Sequence, residues 1–169
     1  VPFLHGEIIL RIGERNFLMR IDLGCSIFKK SGYVGIDLFD WSDKYPKDEF
    51  LQGEIPEVLH NFKENSIEEV RASHFIEHVP QARVIEFMNE VHRILIPDGL
   101  MEINVPPSTG RGAFCDPCHV SFWNDMSFRY YDKTWSPDLT GSYGITADFI
   151  IVKMEQLTEF DLHVILQKR

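Results

Sequence analysis

Hydrophobic residues gather in four short runs, rich in β-branched or aromatic side chains and closed by turn formers: Phe17 to Leu23, Tyr33 to Leu38, Val70 to Phe75 and Leu100 to Val105. Runs of this kind predict strands. One longer segment, Gln81 to Leu95, has helical period instead. Val84, Phe87, Met88, Val91, Ile94 and Leu95 share a face, while Arg83, Glu86, Glu90 and Arg93 lie largely off it. Pro80 suits the start of that helix, and Pro97-Asp98-Gly99 reads as a tight turn leading into the run at Leu100. Strand, helix and strand thus follow within about 35 residues, the size of a βαβ unit with a parallel pair and a right-handed crossover.

The rest of the chain is patterned differently. Nine residues separate Leu23 from Tyr33, too few for a crossover helix of normal length, so a single turn is the most expected there. From Pro106 to Gly144 neither period is sustained, yet eight aromatic residues fall in the segment. Residues 107–144 are therefore expected to form an irregular, aromatic-rich lid or substrate wall. The tail alternates again in Phe149 to Met154 and Leu162 to Leu166, as an antiparallel pair would.

Composition narrows the functional classes. A length of 169 residues, 44% hydrophobic and 25% charged, fits one globular domain spanning 1–169. The net charge of -9 repels phosphate backbones and anionic lipid, making nucleic acid an unlikely partner. No apolar run approaches the ~20 residues of a membrane span. Glu7, Arg11, Glu14 and Arg15 interrupt any signal-like stretch, and three cysteines, an odd number, suit a reducing compartment. The expectation is a cytoplasmic protein.

Chemistry first shows in Asp22-Leu23-Gly24-Cys25-Ser26, where an apolar strand ends in Asp-x-Gly-x-Ser. A glycine at a strand's C-terminal end admits close approach of a ligand to the backbone. A second strand ends thirteen residues later in Asp37-Leu38, and an acidic residue there can accept both hydroxyls of a ribose. Further on come Ser73-His74-Phe75-Ile76-Glu77-His78, the amphipathic helix, Leu95-Ile96-Pro97-Asp98-Gly99, and Asp116-Pro117-Cys118-His119.

These four ordered landmarks resemble the class I S-adenosylmethionine-dependent methyltransferases, and more narrowly a small branch reading Ser-His-x-x-Glu-His, then Leu-x-Pro-Gly-Gly, then Asp-Pro-x-His. The resemblance runs from about Arg20 to Tyr131, with the tail pattern extending it to Arg169. It implies a Rossmann-like, doubly wound α/β sheet of seven strands, the last antiparallel, with a reduced first crossover helix. It also implies a cofactor, S-adenosylmethionine giving S-adenosylhomocysteine, held by Asp22, Leu23, Gly24, Cys25, Ser26, Asp37, Leu38, Ser73, His74 and Phe75. Ser26 and Asp98 stand where the family usually has glycine, and for the adenine contact the third strand offers only Gln52.

Other readings compete for the same residues. Cys115-Asp116-Pro117-Cys118-His119 spells the c-type haem string, which normally requires export and a second axial ligand. Zinc on Cys115, Cys118 and His119 would need a further ligand such as Cys25 or a distant His. His74 to His78 spells His-x-x-Glu-His, but such zinc sites need a sustained helix and this string straddles a strand end before Pro80. No metal is therefore expected. The reading is methyl transfer to a small-molecule or sugar-containing acceptor, with His119, His78 and Asp116 as catalytic candidates and Arg111 and Trp123 toward the acceptor. An imidazole titrates near neutral pH and suits an acceptor that must lose a proton. The alternatives are an inactive cofactor-binding module of the same fold and a nicotinamide-dependent oxidoreductase.

Overall fold

The computed structural model describes residues 19–135 and 137–169. Seven strands form one sheet: β1 (Met19–Leu23), β2 (Val34–Asp37), β3 (Phe50–Gln52), β4 (Ile67–Ser73), β5 (Leu95–Val105), β6 (Phe149–Gln156) and β7 (Leu162–Lys168). Their order is β3-β2-β1-β4-β5-β7-β6. The pairs among β1 to β5 are parallel, while β7 runs antiparallel to both β5 and β6. Six strands thus point one way, and the last is inserted against them between β5 and β6. This is the Rossmann-like sheet expected from the sequence. Residues Phe17 and Leu18 of the first expected strand lie outside the described residues.

Strand alternation sorts the side chains onto two unlike faces. Ile21, Leu23, Ile36, Val70, Ala72, Met101, Ile103 and Val164 share the buried one with their registered neighbours. Helix α1 (Val84–Ile94) packs on it through Phe87, Met88, Val91 and Ile94. The helix begins at Val84, later than the sequence suggests, because Gln81–Arg83 form a 3-10 turn after Pro80. The opposite face carries Arg20, Asp22, Glu69, Arg71, Glu102 and His163, laced by ion pairs such as Arg71–Asp22 at 2.8 Å and Lys30–Glu102 at 3.0 Å. An antiparallel sheet often has one face of this polar kind; a parallel one rarely does.

The crossovers after β1 and β2, residues 24–33 and 38–49, contain turns but no helix. After β5 the chain makes three short helices, α2 (Gly112–Cys115), α3 (Asp125–Arg129) and α4 (Pro137–Ser142). The turn expected at Pro97-Asp98-Gly99 does not precede β5 but lies within it as an irregularity. Asp98 takes φ +64°, and a Cβ on Gly99 would lie 2.8 Å from the Ile96 carbonyl oxygen. Among the described residues, no helix is long and apolar enough to cross a membrane.

Candidate functional site

Strand β1 lies between β2 and β4, and the chain leaves their C-terminal ends in opposite directions across the sheet. In open sheets of this order, ligands bind in the crevice at such a switch point. The turn after β1 is built to sit close to its neighbours. Gly24 has φ +62° and donates its N–H to the Ile36 carbonyl at 2.8 Å. A Cβ at this position would lie 2.3 Å from Cδ2 of Phe75, so glycine is required by both conformation and space. Ser26 also adopts a left-handed conformation, at φ +47°. Its N–H donates to Oδ2 of Asp37 at 2.8 Å, and the Phe39 N–H donates to Oδ1 at 2.9 Å. Asp37, 7% exposed, therefore staples the β1 turn to the end of β2.

Two further groups brace this turn. Asp22, fully buried at 0% exposure, accepts from Arg71 Nη1 at 2.8 and 3.0 Å and from the Lys30 N–H at 2.8 Å. The Tyr45 hydroxyl donates to the Ser26 carbonyl at 2.9 Å, tying residues 38–49 to 24–33. Cys25 packs against Gly35, and burial, followed by the charges of Asp37 and Asp22, pushes its thiol up to about 12.

At the end of β4, Ser73 leads into His74, whose φ of +50° turns the chain. The His74 N–H donates to the Asn104 carbonyl at 2.8 Å, holding the turn to β5. Its ring is half exposed, with Nε2 3.0 Å from Asp161 and Nδ1 3.6 Å from Glu77. Glu77 and then Asp161 raise the His74 pKa, against the effect of burial. Phe75 lies over Gly24 and meets Phe87 edge to face.

The next turn gathers the polar groups. Glu77 is 2% exposed, and neither carboxylate oxygen has a hydrogen-bond partner. The segment after Pro117 docks against it: the N–H groups of Val120 and Ser121 donate to the Glu77 backbone carbonyl at 2.9 and 3.0 Å. This brings His119, with its side chain 8% exposed, to 3.9 Å from the Glu77 carboxylate. His78 and His119 meet with ring centroids 5.0 Å apart. Nδ1 of His78 faces the Cys118 carbonyl at 3.1 Å, and Nδ1 of His119 faces that of Ala113, also at 3.1 Å. Rings that donate through Nδ1 keep Nε2 free as an acceptor.

The other candidates fall elsewhere. Asp116 is exposed; Oδ1 accepts the Cys118 N–H at 2.8 Å, which lowers its pKa and makes it first a turn former. Arg111 pairs with Glu159 at 2.8 Å, well out on the surface. Trp123 does not face an acceptor: it is 2% exposed, donates Nε1 to Ser121 Oγ at 3.0 Å and stacks on Phe128 in the core. A pocket of about 310 Å³ is lined by Pro107, Thr109, Asn124, Asp125, Met154 and Gln156, with none of the proposed cofactor residues. Sequence reasoning quoted Glu77 within two motifs but gave it no role of its own, because its burial comes from residues 118–121, which dock on its backbone.

Comparison with known proteins agrees with the fold. Residues 26–103 match the family described as methyltransferase domain. No curated protein matches the chain. Among solved structures, a SAM-dependent methyltransferase from Archaeoglobus fulgidus superposes with a TM-score of 0.67 at 15% identity, covering 98% of this chain and 95% of its own. A Burkholderia thailandensis 1,6-didemethyltoxoflavin-N1-methyltransferase, solved with 1,6-didemethyltoxoflavin and S-adenosylhomocysteine, gives 0.57 at 14% identity over 97% and 76%. A Haemonchus contortus phosphoethanolamine N-methyltransferase, solved with phosphoethanolamine and S-adenosylhomocysteine, gives 0.63 at 13% identity over 97% and 42%. The chain therefore has the fold of these methyltransferase structures, and its residues 26–103 are similar to the methyltransferase domain family.

Proposed function

We propose that the chain, acting as one domain over 1–169, transfers a methyl group from S-adenosylmethionine to a small-molecule or sugar-containing acceptor. The observation that carries this reading is the juxtaposition of two sites at the β1–β4 switch point: the glycine turn closed by Asp37, and the Glu77–His78–His119 cluster, linked through Phe75. The small molecules bound in the toxoflavin-precursor and phosphoethanolamine enzymes favour small acceptors.

The residues present fit the cofactor. Each Asp37 oxygen accepts a single N–H, so each keeps a lone pair for a ribose hydroxyl. Leu38 and Phe39 beside it expose apolar side chains that a nucleoside base can cover. Gly24, Cys25, Ser26 and the Ser73-His74-Phe75 backbone would border the methionine end; Leu23 and Asp22 support them from within the sheet. When bound, the cofactor supplies an electrophilic methyl group on a sulfonium.

The chain's own task is then to align the acceptor and to receive a proton where the acceptor has one to lose. Alignment alone is worth up to roughly 7–11 kcal/mol in favourable cases. His119, walled in and oriented by the Ala113 carbonyl, is the better-positioned base; His78 is the more accessible one. Asp116 supports His119 from 4.0 Å, and Arg111 is a surface group that an anionic acceptor would have to draw from Glu159.

Calorimetry with S-adenosylhomocysteine tests the reading. Micromolar binding is expected, weakened at least about tenfold by Asp37→Ala, which corresponds to one ribose contact of roughly 1.4 kcal/mol. Absence of binding by the intact protein would sink it. The Phe75 ring over Gly24 favours a second reading, a module that binds the cofactor without turnover; binding with no methylation across an acceptor panel would select it. A nicotinamide enzyme is disfavoured because residues 24–33 contain no helix to receive a pyrophosphate.

A further inference from the structure

The unpartnered carboxylate of Glu77 calls for an explanation. A buried carboxylate without a donor is costly, and native proteins leave few such groups. The imidazoles of His74 at 3.6 Å and His119 at 3.9 Å both lie beyond hydrogen-bond length. The carboxylate therefore lies beside imidazoles without a hydrogen bond to any of them. Potential ligand atoms of Glu77, His78 and His119 all lie within 4.8 Å of one another, the one such group of three among the described residues.

We propose that Glu77, His78 and His119 bind a divalent transition-metal ion, of which zinc is the best fit. Two imidazoles and one carboxylate form a donor set that such ions favour, with a fourth position left open. The outer contacts suit it as well. Both rings turn Nδ1 toward a backbone carbonyl, Cys118 for His78 and Ala113 for His119, the hydrogen bond that orients a metal-binding imidazole and frees Nε2. Glu77 and His119 are held in place before any ion arrives, because the Val120 and Ser121 N–H groups and the Ser121 hydroxyl clamp their two segments together.

A tetrahedron with bonds of ~2.0–2.1 Å places its ligands ~3.3–3.5 Å apart. The three groups need to draw in by up to about 1.5 Å to reach that spacing, and of the three only His78 is exposed. A fourth position would take water or an oxygen, nitrogen or sulfur of a ligand. This departs from the sequence expectation of a site without metal. The cysteines that suggested zinc there are not its ligands: Cys115 donates to the Gly112 carbonyl at 3.3 Å, and Cys118 is exposed. The site does not depend on the methyl-transfer reading. If both hold, the histidines serve as ligands rather than as bases, and the ion takes over polarisation of the acceptor.

The test uses untagged, chelator-stripped full-length protein titrated with Zn²⁺ in a calorimeter and with Co²⁺ by visible absorption. One ion per chain is expected, with ligand-field bands and without thiolate-to-cobalt charge transfer. His119→Ala, Glu77→Gln and His78→Ala should each weaken binding at least about tenfold. His78→Ala removes a surface ring and keeps the test valid if a buried variant misfolds. The double variant Cys115→Ser, Cys118→Ser should bind as the parent does. Absence of zinc binding, loss of it in the cysteine variant, or retention in His78→Ala would each overturn the proposal. S-adenosylhomocysteine titrated into the same stripped protein reports separately on the methyltransferase reading.

Discussion

Gly24 shows how strictly a single position can be specified. Any other residue there must hold φ near +62° and place a Cβ 2.3 Å from the Phe75 ring. The backbone strain is worth about 1–3 kcal/mol, and the overlap adds a comparable overpacking penalty. Gly24→Ala is expected to lower the unfolding free energy by roughly 2–5 kcal/mol in urea denaturation. The two contributions separate in a second background: with Phe75→Ala the overlap disappears and the strain remains, so the added alanine should cost only about 1–3 kcal/mol. Equal penalties in both backgrounds would show that Phe75 is not the obstruction. The result bears on the proposed function, since the same ring stands over the backbone that the cofactor would approach in that reading.

Elements answer to the surfaces they cover, and the charged face explains the missing helices. A crossover helix stabilises a sheet by burying an apolar stripe. Arg20, Asp22, Glu69, Arg71 and Glu102 offer no such stripe, and the crossovers after β1 and β2 are accordingly turns stitched by Tyr45, Lys29 and Lys30. Helix α1 covers the apolar face, and its last turn carries a pH-sensitive group. His92 packs edge to face on Phe149, and burial, then the positive charge of Lys168, lowers its pKa below the usual 6.5. The unfolded chain thus binds a proton more readily than the folded one, so the His92 contribution is complete above pH ~6.5 and declines as pH falls below it. Replacing His92 with Gln should flatten the stability profile between about pH 7 and 5 relative to the parent. An unchanged slope would assign the pH dependence to other groups.

Across the whole molecule, the parts most readable from sequence were those set by local pattern. The helix from Val84, the alternation in β1, β4, β5 and β7, and the turns at Gly24 and Asp37 all announce themselves in neighbouring residues. The alternation of Glu69-Val70-Arg71-Ala72 and Met101-Glu102-Ile103-Asn104 also carried the charged face, a signal that naming the strands left unused. Three-residue β3 is too short to show a period, and Glu77 and Trp123 acquired their burial from segments about forty residues distant or from the core as a whole. The site is legible as motifs and illegible as contacts. One measurement reads all of its parts together. A ligand that binds only the folded chain at 100 times its dissociation constant stabilises by about 2.7 kcal/mol, or some 5–10 °C in melting temperature for a protein of this size. S-adenosylhomocysteine should produce a shift of that order in the parent. Asp37→Ala should show much less of it at the same ligand concentration, and Trp123→Phe, which alters the core and not the crevice, should melt lower yet keep the full increment. A Trp123→Phe protein that loses the increment would place that side of the chain in the cofactor site after all.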